Sequence, residues 1–218
     1  MAVWRWFFLL SVCPWLMGLV PLSWQDSFLT RIELLALIET LNAELLSHSS
    51  ATLTLERWCA GHGMAPEAKL VARLERGASK HIADQDRERL AIGAGDELRY
   101  RHVRLFCGDK LLSEADNWYV PARLTAEMNR LLDETETPFG KVVRDLDFRR
   151  ETLSAKLLWS PLPERWDMAP APMASPGGFE APDHILEHRA ILRANGGAPF
   201  SFVVETYTRD VLAFPLPR

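Results

Sequence analysis

One stretch narrows the fold more than any other: ELRYRHVRLFCGDKLLSEADNWYVP, residues 97–121. It alternates on both sides of a turn. Strand period places Arg99, Arg101, Val103 and Leu105 on one face and Tyr100, His102, Arg104 and Phe106 on the other. Gly108-Asp109 is turn material, and a second arm runs from Leu111 to Val120. The piece reads as a β-hairpin.

The rest of the chain repeats that theme. Residues 184–212, HILEHRAILRANGGAPFSFVVETYTRDVL, read as strand, Gly-Gly turn and strand. ATLTLERW, residues 51–58, alternates Ala51, Leu53 and Leu55 against Thr52, Thr54 and Glu56, which predicts a strand. KLVARLERG suggests another, and Lys141–Arg150 and Thr152–Trp159 are extended or mixed pieces. Leu29–Leu46 carries Leu34, Leu35, Leu37, Ile38, Leu41 and Leu45 at helical spacing. A second helix follows Thr125 as N-cap, with Met128, Leu131 and Leu132 as its stripe, and TPFG ends it. Asp84–Arg89 reads as a solvated helix face or turn. Hairpin-linked strands with a few helices predict an α+β fold, an antiparallel β-sheet with helices packed on it. Residues 160–182 hold six prolines and two glycines and are expected as an insertion between two strands of that sheet.

Before Asp26 the only charge is Arg5, followed by a long apolar run. A basic start and an apolar stretch predict a signal peptide or N-terminal anchor over residues 1–25, leaving a domain over 26–218. That places the protein outside the cytoplasm or tethered by its N-terminus, with a cytoplasmic protein as the alternative. Membrane contact is expected only through that segment. Cys13 falls inside it; Cys59 and Cys107 remain, as a disulfide or as two buried thiols. Net charge is −4 with both signs interspersed, so a basic nucleic-acid face is not indicated. His184 and His188 lack a third ligand nearby, no glycine-rich phosphate loop is present, and neither metal nor cofactor is expected. A monomer is the expected state.

The residue that demands explanation is Glu205, in the middle of the last strand. It shares a face with Ser201, Val203 and Tyr207, while Phe202 and Val204 lie opposite, so neither face is plainly wet. A buried, unpaired carboxylate is costly, so Glu205 requires a partner or a site. Arg101, at the head of the face carrying Val103 and Leu105, is the natural candidate. A guanidinium and a carboxylate turned inward make a clamp for a small carboxylate-bearing molecule, or a pair that merely holds the sheet.

RHVRL, CGD, YVP with TPFG, and GGAPFSFVVETY follow one another between about Ser50 and Leu212, and in this order the chain resembles the chorismate pyruvate-lyase family. The resemblance implies an internal ligand cavity and a cofactor-free elimination of pyruvate from chorismate to give 4-hydroxybenzoate, a step of ubiquinone biosynthesis. It implies that Arg101 holds the ring carboxylate and that Glu205 meets the ring oxygen as a proton donor. Phe139 and Gly140 would bring an apolar side chain and a backbone amide to the ligand, and Ala51 stands where the family has a methionine. Two other readings stand beside it. One is an exported, non-catalytic binding protein for a small aromatic carboxylate. Ligand-sensing domains of some transcription regulators share the lyase fold without its chemistry, although no DNA-binding helix pair precedes this domain. The other is a structural or interaction protein, which predicts no enclosed polar cavity.

Overall fold

The computed structural model describes residues 24–93, 95–172, 174 and 180–214. Most of the segment expected as signal or anchor lies outside the described residues. Trp24, at its end, is buried and meets Phe214 edge-on at 6.4 Å. Among the described residues no helix is long and apolar enough to cross a membrane.

Six antiparallel strands form one sheet: β1 (Leu70–Leu74), β2 (Arg99–Cys107), β3 (Lys110–Tyr119), β4 (Arg149–Leu157), β5 (His184–Arg193) and β6 (Pro199–Thr208). Their order across the sheet is β1-β2-β3-β6-β5-β4. The two hairpins read from the sequence are therefore the centre of the molecule. They lie side by side, zipped from Ser113↔Tyr207 to Tyr119↔Ser201. Gly108 turns the first with φ +60°, and Gly197 the second with φ +82°, a backbone region that glycine enters without steric cost. The proline-rich segment joins neighbouring strands β4 and β5, as an insertion within one sheet. The expected α+β architecture is what forms.

Among the described residues five α-helices accompany the sheet: α1 (Phe28–Ser47), α2 (Ala51–Gly61), α3 (Asp84–Arg89), α4 (Ala126–Glu134) and α5 (Phe139–Val142). The predicted cap is in place, Thr125 accepting from the N–H of Met128 at the start of α4. α1 buries Leu34, Ile38, Leu41 and Leu45 at a spacing of three and four. Each such side chain removed from water contributes roughly 1.5–3 kcal/mol.

α2 overturns the strand predicted for ATLTLERW. Ser50 caps it by accepting from the N–H of Leu53, and the residues it buries are Ala51, Thr52, Thr54, Leu55, Trp58 and Cys59. Those positions follow helical spacing; the alternation of Leu with Thr misled because Thr54 is fully buried while Leu53 is not. Packing on the sheet decides the matter. Trp58 Nε1 donates to the carbonyl of Val211 at 2.8 Å. Cys59 is disulfide-bonded to Cys107 at the end of β2, across 48 residues of sequence. In the loop-entropy account a crosslink of that span contributes about 4 kcal/mol.

The register gives the sheet an inner face carrying Arg101, Val103 and Leu105 on β2, Ala115 and Asn117 on β3, Val203, Glu205 and Tyr207 on β6, and His188, Ala190 and Leu192 on β5. α1 and α2 share the main core with the end of that face bearing Leu105, Leu112, Leu186 and Tyr207. The opposite face is sealed in part by the segment around α3, where Leu90 meets Trp118, Ile191 and Phe202. His102 lies on that outer side, bonded to Asp116 at 2.9 Å, as expected of a residue facing away from Arg101.

Candidate functional site

Between the inner face and the helices lies a part-open chamber with a cavity volume of about 40 Å³, or about 470 Å³ when the open space at its mouth is counted. Val103, Leu105, Ala115, Val203 and Leu192 form an apolar floor, Ser49 to Thr52 and Phe139-Gly140 form the roof, and Phe148 closes one side. The roof is held by close approach. A Cβ on Gly140 would stand 2.9 Å from Ser50 Oγ and 3.1 Å from Thr52 Oγ1, so glycine is what lets α5 lie against the start of α2. Lys141 adds an ion pair to Glu56 of α2 at 2.9 Å. Of the predicted site residues, Glu205, Ala51, Phe139 and Gly140 all line this chamber.

Arg101 does not. It lies on the same face as Glu205, as predicted, but pairs in register with Asn117, while Glu205 sits opposite Ala115. Two strands and two residues separate them, about 12 Å between Cα atoms at ordinary sheet spacing. Its Nη2 donates to the carbonyls of Thr137 at 3.0 Å and Thr135 at 3.3 Å, the loop that leads into α5. Burial lowers its pKa to about 10, against the opposing pull of Tyr119 and Asp133. Arg101 thus anchors the roof and is not the partner of Glu205.

That partner is Arg150, on β4. Arg150 Nη2 donates to Glu205 Oε2 at 2.5 Å, and the side chain is only 4% exposed. Tyr207, fully buried, donates its hydroxyl to the same oxygen at 3.0 Å. Both hydrogen bonds end on Oε2, leaving Oε1 without a protein donor among the described residues. Arg150 Nε is buried with no acceptor. Burial works against the Arg150 charge, but Glu205 and Tyr207 together outweigh it and the net shift is upward. Burial, with Glu205 beside it, pushes the Tyr207 phenol well above its usual range, so it remains a donor. Glu205 was expected as a proton donor in apolar surroundings. In the structure it is ion-paired instead, accepting from Arg150 and from Tyr207.

His188 completes the cluster from β5, directly across from Glu205 in the register. It is fully buried, its Nε2 lies 2.9 Å from Asn42 Oδ1 on α1, and its Nδ1 has no partner. Burial lowers its pKa to about 4, although Glu205 pulls the other way, so no second cation stands beside Arg150 at neutral pH. His184, four residues earlier, is exposed and bonds Glu114. The described residues contain no group of three side chains suited to a metal ion.

Among the described residues Arg150 and Glu205 are the only charged side chains lining the chamber, and they cancel. α2 adds a partial positive charge, since its first turn has no acidic residue. A helix terminus contributes typically about 0.3–1 kcal/mol to a nearby anion, whereas taking an ion out of water costs several. The lining itself is thus close to neutral, with the Arg101 guanidinium turned to the Thr135–Thr137 loop just outside it. Sequence reasoning missed Arg150, but a signal existed: in Arg149-Arg150, at the head of an extended piece, strand alternation turns one arginine inward.

No protein-family model matches the sequence. The chain is 54% identical over 197 residues to the "Uncharacterized protein y4mC" of Sinorhizobium fredii (strain NBRC 101917 / NGR234), covering 89% of this chain and 83% of that one. Among solved structures it is similar to the effector domain of PhnF from Mycobacterium smegmatis, with TM-score 0.47, 12% identity and 74% and 90% of the two chains covered. The ligand-binding domain of a putative GntR-family transcriptional regulator from Bordetella bronchiseptica gives TM-score 0.44 and 16% identity, over 67% and 89%. The possible transcriptional regulator YydK from Bacillus subtilis gives TM-score 0.39 and 14% identity; the match takes in 68% of this chain and 61% of that regulator, under two thirds of its length. At these scores the likeness is one of outline. The assignment to the chorismate pyruvate-lyases is overturned: these neighbours are regulator domains, and the sequence relative is not described as a lyase.

Proposed function

The chain belongs to the family of the Sinorhizobium fredii protein y4mC, and from its geometry we propose that it is a small-molecule-binding protein whose ligand, a single cyclic or aromatic ring, lies in the chamber beneath α2 and α5. One observation carries this reading. A paired Arg150 and Glu205 stand at the floor of a mostly apolar chamber, with hydrogen-bonding capacity unspent on both. Buried polar groups in folded proteins are almost always satisfied, so unspent capacity beside an open volume is where a ligand belongs. Apolar floor and aromatic walls from Phe139 and Phe148 suit the faces of a ring. Aromatic and cyclic carboxylates, the class expected from the sequence, fall within this ring class.

The proposal is for binding without chemistry. Glu205 is already engaged by Arg150 and Tyr207, and Arg101, which donates through Nη2 to the carbonyls of Thr135 and Thr137 and keeps Nε and Nη1 unpaired, does not line the chamber. The full chain incubated with chorismate is expected to yield no 4-hydroxybenzoate. Ligand-observed NMR with phenol, cyclohexanol, 4-hydroxybenzoate and benzamide tests binding directly. At least one probe should bind, and Ala115→Leu, which fills the chamber floor, should abolish that binding while the melting temperature holds. Silence from every probe, or binding indifferent to Ala115→Leu, overturns the reading. The disulfide between α2 and β2 supports a further part of the proposal, that the protein works in an oxidising compartment. Alkylation of thiols in protein taken from its native source should then leave Cys59 and Cys107 unmodified.

A further inference from the structure

The chamber's charge balance goes further than its shape. Arg150 and Glu205 touch through one nitrogen and one oxygen only, Nη2 and Oε2. Among the described residues Oε1 of Glu205 faces no protein donor and the guanidinium has no second acceptor, with Nε enclosed and unpaired. The pair therefore presents an acceptor and a donor next to each other, with no net charge. The other polar groups of the lining are neutral. Asn117 already has its Oδ1 taken by Ser201 Oγ at 2.6 Å, so its amide N–H groups are what it can offer. Ser49, Ser50 and Thr52 add hydroxyls. His188, on the strand beside Glu205, is uncharged at neutral pH, and Lys141 is engaged by Glu56 outside the lining.

Building on the binding role proposed above, we infer that the chamber selects an uncharged ring compound carrying a hydrogen-bond acceptor and a donor side by side, read by Arg150 and Glu205 together, in preference to the matching carboxylate. A primary carboxamide is the simplest such group: its carbonyl accepts from the guanidinium and its N–H donates to Oε1. A carboxylate in the same place meets Arg150 favourably but sets its second oxygen against Glu205, an acceptor facing an acceptor. It also surrenders its hydration to a chamber whose only full charges already cancel. The partial charge at the start of α2 does not make up that loss.

The test compares ring-matched pairs by titration calorimetry on the full chain at pH 7: benzamide against benzoate, and cyclohexanecarboxamide against cyclohexanecarboxylate. The amides should bind at least tenfold tighter than the acids. Glu205→Gln leaves Arg150 as the chamber's sole charge and should invert the preference, with the acids then tenfold or more ahead. Arg150→Gln combined with Glu205→Gln should bring the amides back in front. Acids binding as tightly as amides in the native protein overturn the inference, as does a preference that Glu205→Gln leaves unmoved. Should Glu205→Gln fail to fold, the native pairs alone decide. Failure of these pairs while phenol or cyclohexanol still binds sinks this inference and spares the chamber; failure of every ring compound sinks both.

Discussion

The inner face of the sheet has two ends, and they are built differently. At one end α1 lays Leu34, Ile38, Leu41 and Leu45 into a solid core with Leu55, Leu186 and Tyr207. At the other, the start of α2 and the single turn of α5 approach the sheet through small residues, with Ala51 and Gly140 above and Ala115 below. Large side chains leave no room at the first end. Small ones leave a chamber at the second, and the only charged pair of the lining stands on its floor. The packed end supplies stability, while the open end forgoes packing and keeps polar groups unsatisfied. That division is what a binding site costs a fold of this size.

Substitutions can sharpen the contrast or break it. The largest effect belongs to the packed end: Leu41→Ala should cost about 4 kcal/mol of unfolding free energy in a urea titration, since rigid neighbours cannot collapse onto the cavity. Arg150→Met at the open end should cost about 3 kcal/mol by stranding Glu205, with part recovered when Glu205→Gln is added. Leu41→Ala should leave ring binding within twofold, whereas Arg150→Met should abolish carboxamide binding. A mild Arg150→Met would mean the charged pair is dispensable and the contrast false.

Acid separates the two ends in another way. His188 carries a folded-state pKa of about 4, below the ordinary histidine value of 6.5. The unfolded chain therefore binds the extra proton first. Stability should be intact above pH 6.5 and fall as pH drops towards 4, by roughly 2–3 kcal/mol from this group alone. His188→Leu should flatten that slope in denaturation curves taken between pH 7 and 4; an unchanged slope would show that His188 already accepts a proton when folded. The smallest effect is expected at the mouth. Lys141→Gln removes a partly exposed ion pair and should shift stability by no more than about 0.5 kcal/mol, while speeding ligand exchange measured by NMR line shape.

The strands were legible because period-two alternation and glycine turns are local signals, and both hairpins stand where their residues indicate. α2 was not. Thr52 and Thr54 are polar by type yet buried by position, and only packing against the sheet distinguishes a helix from a strand in so short a run. The site was half legible for the same reason. Glu205 announced itself as a carboxylate among apolar neighbours, and its face was readable from alternation. Its partner was not, because both arginines of that face stand two strands from Glu205. Which guanidinium turns to it depends on what else each one meets: Arg101 donates to the carbonyls of Thr135 and Thr137, while Arg150 reaches across β5 to the carboxylate. Those loop contacts leave no local mark in the sequence.

The contact at Gly140 fixes how far the roof can be altered. One methyl group there would work as a wedge, forcing Ser50 and Thr52 aside and prising the turn of α5 from the helix beneath it. The chamber could then be made leaky while Arg150 and Glu205 on its floor stay in place. A variant carrying alanine at this position offers a way to separate how fast a guest comes and goes from how well it is recognised.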